Sequence, residues 1–144
     1  MPAFLWWLSS RLYRLHLTPL AWLLKAANFV VFHAVLPFQA EVDPHIELMH
    51  QGLGVVVHPN VTIEQGVRIY NHVTIGSDAV IGSQYRITIC RGAVIGTGAK
   101  IIAKREQSIR IGVGAKVGAN AVVLQDVPDG ATAVGVPARI LLRQ

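Results

Sequence analysis

Six histidines are the side chains of this sequence best suited to chemistry at neutral pH: His16, His33, His45, His50, His58 and His72. An imidazole changes protonation near pH ~6.5, so it takes or gives a proton under ordinary conditions. Proton transfer to or from a hydroxyl is therefore the chemistry to look for. A metal centre is a poorer fit, because these histidines lack compact ligand spacing, and no metal is expected. His16 and His33 lie in an apolar segment and read most simply as surface or packing residues. His58 and His72 fall at non-core positions of a repeat, and His72 follows Gly54 by eighteen residues. The single cysteine, Cys90, excludes an internal disulfide and fits a reducing compartment. No nucleophile motif surrounds it, so a packed thiol is expected.

The elements that position these groups follow from one period. From Val57 an aliphatic residue returns every six positions, at Ile63, Ile69, Ile75 and Ile81, with Val61, Val67, Val73 and Ala79 as smaller companions. The pattern resumes after a two-residue shift at Ile89, Ile95 and Ile101, and after a longer interruption at Ile111, Val117 and Val123. Six is neither the helical nor the plain strand period. It predicts a β-helix, in which each hexapeptide is one short strand plus a corner and stacked coils bury an aliphatic column. Three hexapeptides make a coil, so residues eighteen apart stack about 4.8 Å from one another. His72 then stacks over the loop that carries His50. Roughly four coils follow from Val57, and residues 42–53 supply part of another. Both interruptions, the shift after Ile81 and the excess at residues 103–110, fall on one edge, which is a candidate binding rim.

The bulk composition narrows the function classes. With 144 residues the chain makes about one domain. Its net charge of +5 favours anionic ligands or surfaces. Lys and Arg are scattered, with no aromatic-basic stripe or finger spacing, so nucleic acid is a poor fit. Hydrophobic residues reach 52%, and much of that excess lies in the first forty positions. That segment lacks the order of an export signal, since its apolar start precedes the first cation, Arg11. Arg11, Arg14 and Lys25 also interrupt it, and its longest uncharged run, residues 26–40, is too short to span a bilayer. It predicts two short helices broken around Thr18-Pro19, the second ended by Pro37. Such helices cap the open end of a β-helix, pack between subunits, or lie at a membrane surface through Trp6, Trp7, Tyr13 and Trp22.

Three stretches carry a family likeness. They are Leu48-Met49-His50-Gln51-Gly52-Leu53-Gly54-Val55-Val56-Val57-His58-Pro59, then Ile69-Tyr70-Asn71-His72-Val73-Thr74-Ile75-Gly76, and Gly118-Ala119-Asn120-Ala121-Val122-Val123 running on to Gly135-Val136-Pro137-Ala138-Arg139. Together they resemble the hexapeptide-repeat acyltransferases, and specifically the serine O-acetyltransferase-like branch. The resemblance spans residues 40–142. It implies a left-handed parallel β-helix, usually a homotrimer with active sites between subunits, that moves an acetyl group from acetyl-CoA to a hydroxyl. By resemblance His50 is the catalytic histidine, a general base with no covalent acyl-enzyme. His72 is the second candidate, binding acceptor or stabilising the thioester oxyanion. The pantetheine arm is expected near Gly98, Ala99 and Ala119, with Lys116 and Arg139 near the phosphates and adenine. Lys104 and Arg105, on the second interruption, are further cationic candidates for that cofactor.

Departures from the family pattern bear on the acceptor. Collinear counting puts the aspartate that orients the histidine at Val35, and a second family aspartate is Met49 here. Asp43, Glu41 and Glu47 are the acids left to substitute. The family's Arg-His-Pro-Lys acceptor loop reads Tyr85-Arg86-Ile87-Thr88, which makes Tyr85 and Arg86 acceptor-binding candidates, with Asp43 beside them. These losses shift the expectation from serine to a sugar hydroxyl, as in the small O-acetyltransferases of polysaccharide biosynthesis. The alternatives are a serine O-acetyltransferase of cysteine biosynthesis, a noncatalytic β-helix scaffold, and an N-acetyl- or longer-chain acyltransferase. The expected organisation is an apolar helical segment over residues 1–39, a catalytic β-helix over 40–128 and a tail over 129–144. The expected setting is the cytoplasm, peripheral to the inner membrane face through residues 1–38.

Overall fold

Short strands wind this chain into a parallel β-solenoid of about four coils behind two helices, in a computed structural model that describes residues 1–142. The expected tail over 129–144 thus ends in two positions outside the described residues. Helices α1 (Pro2–Arg14) and α2 (Thr18–Phe32) each carry proline in the first turn, where a missing N–H leaves no bond unmade. The break between them matches the Thr18-Pro19 expectation. The end of α2 does not, because His33 in the left-handed region (φ 54°) stops it ahead of Pro37.

The strands follow in threes. The first coil is β1 (Glu41–Val42), β2 (Glu47–Leu48) and β3 (Val56–Val57). The second is β4 (Val61–Ile63), β5 (Arg68–Ile69) and β6 (Thr74–Ser77). The third is β7 (Ile87–Ile89), β8 (Val94–Ile95) and β9 (Lys100–Ala103). The fourth is β10 (Ile109–Ile111), β11 (Lys116–Val117) and β12 (Val122–Val123). Then β13 (Thr132–Val134) extends the stack and β14 (Arg139–Leu141) turns back antiparallel upon it. Three sheets result: β1-β4-β7-β10, β2-β5-β8-β11-β13-β14 and β3-β6-β9-β12. Inward side chains such as Ile69, Ile95 and Ile101 are wholly buried, and each contributes about 2 kcal/mol of apolar burial.

Register shows where the period breaks. Val57 pairs with Ile75 eighteen residues on, the uninterrupted coil. Ile75 pairs with Ile101 and Ile101 with Val123, so the next two coils carry insertions. Both insertions, residues 78–86 and 104–108, leave the corner between the third and first sheets, the shared edge expected from the sequence. The expectation for Ile81 is corrected: it is 59% exposed, not part of the column. The backbone leaves the stack after Ser77, and the six-residue phase merely runs on along the excursion.

The first helix closes the open end of the solenoid. Trp6 is fully buried and its indole Nε1–H donates to Pro37 O at 2.8 Å. Of the placements expected for these helices, capping fits Trp6 and a membrane surface does not, because the Trp6 face of α1 is the one turned inward. Tyr13 stacks on Phe38, ring centroids 4.9 Å apart, while Trp22 remains 62% exposed. Among the described residues no helix is long and apolar enough to cross a membrane.

Candidate functional site

A third irregularity lies at a different corner, between the second and third sheets. Leu48 pairs with Ile69 across a coil longer than eighteen residues, and the excess is a tight helical turn, Met49–Gly52. Within it His50 (φ 51°) and Gln51 (φ 60°) are both left-handed. Non-glycine residues in that region are uncommon and cost free energy, which is a reason to look for function there. The turn carries His50 out from the stack, exposed, with its ring 6.2 Å from that of Tyr70.

Successive coils extend this edge. Above the His50 turn, His72 N–H donates to Leu53 O at 2.8 Å, and the imidazole lies across Gly54. Gly54 has φ +69°, and a β-carbon there would collide with the His72 ring. In the third coil Gly98 N–H donates to Asn71 O at 3.0 Å, and the Lys100 ammonium donates to Gly98 O at 2.9 Å. In the fourth, the Asn120 side chain crowds Gly98 as His72 crowds Gly54. His50, His72, Gly98, Ala99 and Ala119 thus line up along one edge of the solenoid.

The other expected residues lie elsewhere in the chain. Tyr85, Arg86, Lys104 and Arg105 belong to the corner of the two insertions. The Arg86 guanidinium is already engaged there: Nε–H donates to Thr62 Oγ1 and Nη2–H to Val61 O, both at 3.1 Å, with Glu41 at 3.8 Å. Lys104 and Arg105 stand exposed on the shorter insertion, and exposed Lys116 and Arg139 lie on β11 and β14 of the second sheet. Asp43 sits at the remaining corner, where Oδ1 accepts from His45 N–H at 2.8 Å and lies 3.2 Å from its Nδ1. Strand β2 separates it from His50. Val35, the position counted for the family aspartate, forms a parallel bridge with Val56 and leaves an apolar side chain there.

Asn60 was missed by sequence reasoning, although an Asn immediately before core Val61 is the signal that points to it. It is 2% exposed, and Nδ2–H donates to Val80 O at 2.8 Å, Ser83 Oγ at 3.2 Å and Tyr85 O at 3.1 Å. Its Oδ1 accepts from Gly82 N–H at 2.8 Å, so one side chain holds the longer insertion. Beneath it, His58 Nδ1 accepts from Asn60 N–H at 3.0 Å, which requires the neutral ring with its proton on Nε2. Burial lowers the His58 pKa, against a smaller opposing pull from Asp78. Burial, reinforced by Glu64, pushes the Cys90 thiol up, which disfavours the nucleophilic thiolate. Among the described residues no group of three or more His, Cys, Asp or Glu side chains is placed to hold a metal ion.

No protein-family model matches this chain. Over 120 residues it is 38% identical to the serine acetyltransferase of Escherichia coli strain K12, with 80% of this chain and 42% of that protein covered. Over 95 residues it is 44% identical to the serine acetyltransferase of Buchnera aphidicola, with 65% and 33% covered. Among solved structures, soybean serine acetyltransferase complexed with serine matches with a TM-score of 0.84 and 38% identity, over 95% of this chain and 54% of that one. Serine acetyltransferase from Brucella abortus in complex with coenzyme A matches with a TM-score of 0.84 and 30% identity, over 95% and 53%. The chain spans less than half the length of these curated relatives. A sugar acceptor, the expectation from sequence, has no counterpart among these four.

Proposed function

We propose that this chain transfers an acetyl group from acetyl-CoA to the hydroxyl of serine, with His50 as general base, in a left-handed β-helix whose active sites form between copies. The observation that carries the reading is the His50 turn, which holds an exposed imidazole at the head of the edge lined by His72, Gly98 and Ala119. A neutral imidazole accepts the hydroxyl proton as the oxygen attacks the thioester carbonyl. The new C–O bond makes a tetrahedral oxyanion, and its collapse breaks the C–S bond. The leaving thiolate then takes the proton from the imidazolium, which restores the base without an acyl-enzyme. Gly98 and Ala119 leave that edge open to an extended pantetheine arm, while the Ala99 methyl is wholly buried in the column and only its backbone borders the edge. Lys116, Arg139, Lys104 and Arg105 supply positive charge for the phosphates.

Assembly from several copies, a trimer on the family pattern, is supported by the separation of the two corners. Within one copy the third sheet lies between His50 and the corner that carries Arg86, Lys104 and Arg105. A neighbour laid against that sheet brings the two corners together. Similarity to four serine acetyltransferases, one of them complexed with serine, supports serine as acceptor. A glycan hydroxyl stays as the second reading because the acceptor-loop positions read Tyr85-Arg86-Ile87-Thr88 in place of the family's Arg-His-Pro-Lys.

Acetyl-CoA consumption, measured with serine and with a panel of free and lipid-linked sugars, tests both readings. Turnover with serine is expected, together with a loss of about 10²–10⁴-fold in His50→Ala. Turnover on a sugar with none on serine overturns the acceptor, and full rate in His50→Ala overturns the base.

A further inference from the structure

The two N-terminal helices divide their labour. Helix α1 covers the first coil with Trp6 and Pro2, both buried. Helix α2 rests on α1 through Ala21 and Asn28, whose Nδ2–H donates to Pro2 O at 3.4 Å. Capping is thus complete with α1, and the far side of α2 is left uncovered. That side presents Leu20, Trp22, Leu23, Phe29, Val30 and Val31, each at least half exposed and Val30 70% exposed. Exposed single hydrophobes are ordinary, but a contiguous apolar helix face marks an interaction surface.

We propose that this face of α2 docks flat into the interface of an anionic lipid bilayer. Charge points to lipid. No Asp or Glu occurs before Glu41, whereas Arg11, Arg14 and Lys25 lie on or beside these helices. Arg14 lines a groove with Glu41, Asp43 and Glu64 on the solenoid side, so Arg11 and Lys25 are the cations left to a layer of phosphates, and neither helix carries an acid to repel it. Chemistry points the same way. Protein interfaces carry about one hydrogen bond per 100–200 Å², and this face offers few side-chain donors: the Trp22 indole, with Thr18 and Lys25 at its edges. That indole is suited to headgroup depth, where an amphipathic ring has one end apolar and the other wet. A recess of about 200 Å³ between Trp22, Phe29, Ala34 and Val35 has Lys25 on its wall, which sets a cation beside apolar surface. Length excludes a transmembrane role, because fifteen helical residues span about 22 Å against a hydrocarbon core of about 30 Å.

The test is sedimentation of the full chain with sucrose-loaded vesicles of phosphatidylcholine alone or mixed equally with phosphatidylglycerol. Two cations near an anionic surface, at roughly fivefold each, should make binding to the mixed vesicles about 25-fold tighter. The paired substitution Leu23→Glu with Val30→Glu should abolish binding while leaving the melting temperature in place, since both side chains are exposed. Arg11→Gln with Lys25→Gln should weaken binding to the mixed vesicles alone. Equal sedimentation of wild type and the paired Glu variant overturns the proposal. So does a lipid-free wild type that sediments as a larger species than that variant and ignores vesicles, because a second copy would then be the occupant. None of these readings depends on acetyl transfer, so they stand apart from the chemistry at His50.

Discussion

The side-chain amide of Asn60 reaches across 25 residues of sequence to donate to the carbonyl of Tyr85 at 3.1 Å. The same group bonds Val80, Gly82 and Ser83, so the path of the longer insertion is written into one buried side chain. Buried polar groups tolerate the loss of their partners badly, because each orphaned donor or acceptor keeps its full desolvation penalty.

Asn60→Ala should therefore cost about 2–3 kcal/mol in chemical denaturation. It should also speed amide exchange across residues 79–85 well before global unfolding. Asn60→Asp keeps an acceptor for Gly82 N–H and loses the donor, so amide exchange at Gly82 should stay slower than in Asn60→Ala.

His58 predicts a pH dependence whose sign is fixed by its lowered pKa. The unfolded ring titrates near pH ~6.5 and the folded ring below that. The folded state thus holds fewer protons between the two values, so the contribution of His58 is present above pH ~6.5 and fades as pH falls through the folded pKa. The stability gap between wild type and His58→Ala should shrink on acidification over that window. A gap independent of pH from 7.5 to 4.5, roughly, would contradict the neutral-ring hydrogen bond to Asn60.

Gly54→Ala should destabilise through two separable effects. The left-handed backbone at φ +69° costs an alanine about 1 kcal/mol, and the new methyl collides with the His72 ring. In a His72→Ala background only the backbone cost remains, so a double-mutant cycle of melting curves should return a coupling above about 0.5 kcal/mol. Additivity would mean that the ring swings clear at no cost.

Two isoleucines test the register. Ile95 is fully buried between Ile69 and Val117, and Ile95→Ala should cost about 2–5 kcal/mol. Ile81 is 59% exposed, and Ile81→Ala should fall within about 0.5 kcal/mol of wild type. Similar losses at both would return Ile81 to the column.

The contrast between those residues also marks the reach of sequence reasoning. Periodicity reports that a side chain would be buried if the chain stayed in its stack, and from Val57 to Ile75 it did. It cannot register the point at which the backbone departs, so Ile81 kept its phase and lost its burial. Spacing predicted His72 over Gly54 because that coil has no insertion. Asp43, one of three acids left to substitute for the missing aspartate, lies a corner and a strand away from His50, a separation that composition does not show. The position of Asn60 before core Val61 signals a buried polar group, but its partners are set by a loop path that no local pattern encodes. Sequence leaves Trp6 open between capping and a membrane surface because hydropathy along a short apolar helix does not say which side meets the solenoid.

The strand that turns back on the stack has a consequence for the fate of the folded molecule. A column of short parallel strands is geometrically a fibril one molecule long, and an open end would accept another chain as its next rung. With β14 laid antiparallel on β13, the next rung at that sheet is already taken by a strand of opposite direction. Helix α1 blocks the far end with Trp6. Removing residues 138–142 should turn the closing sheet into a template, and concentrated samples should scatter light and bind thioflavin where the full chain stays clear.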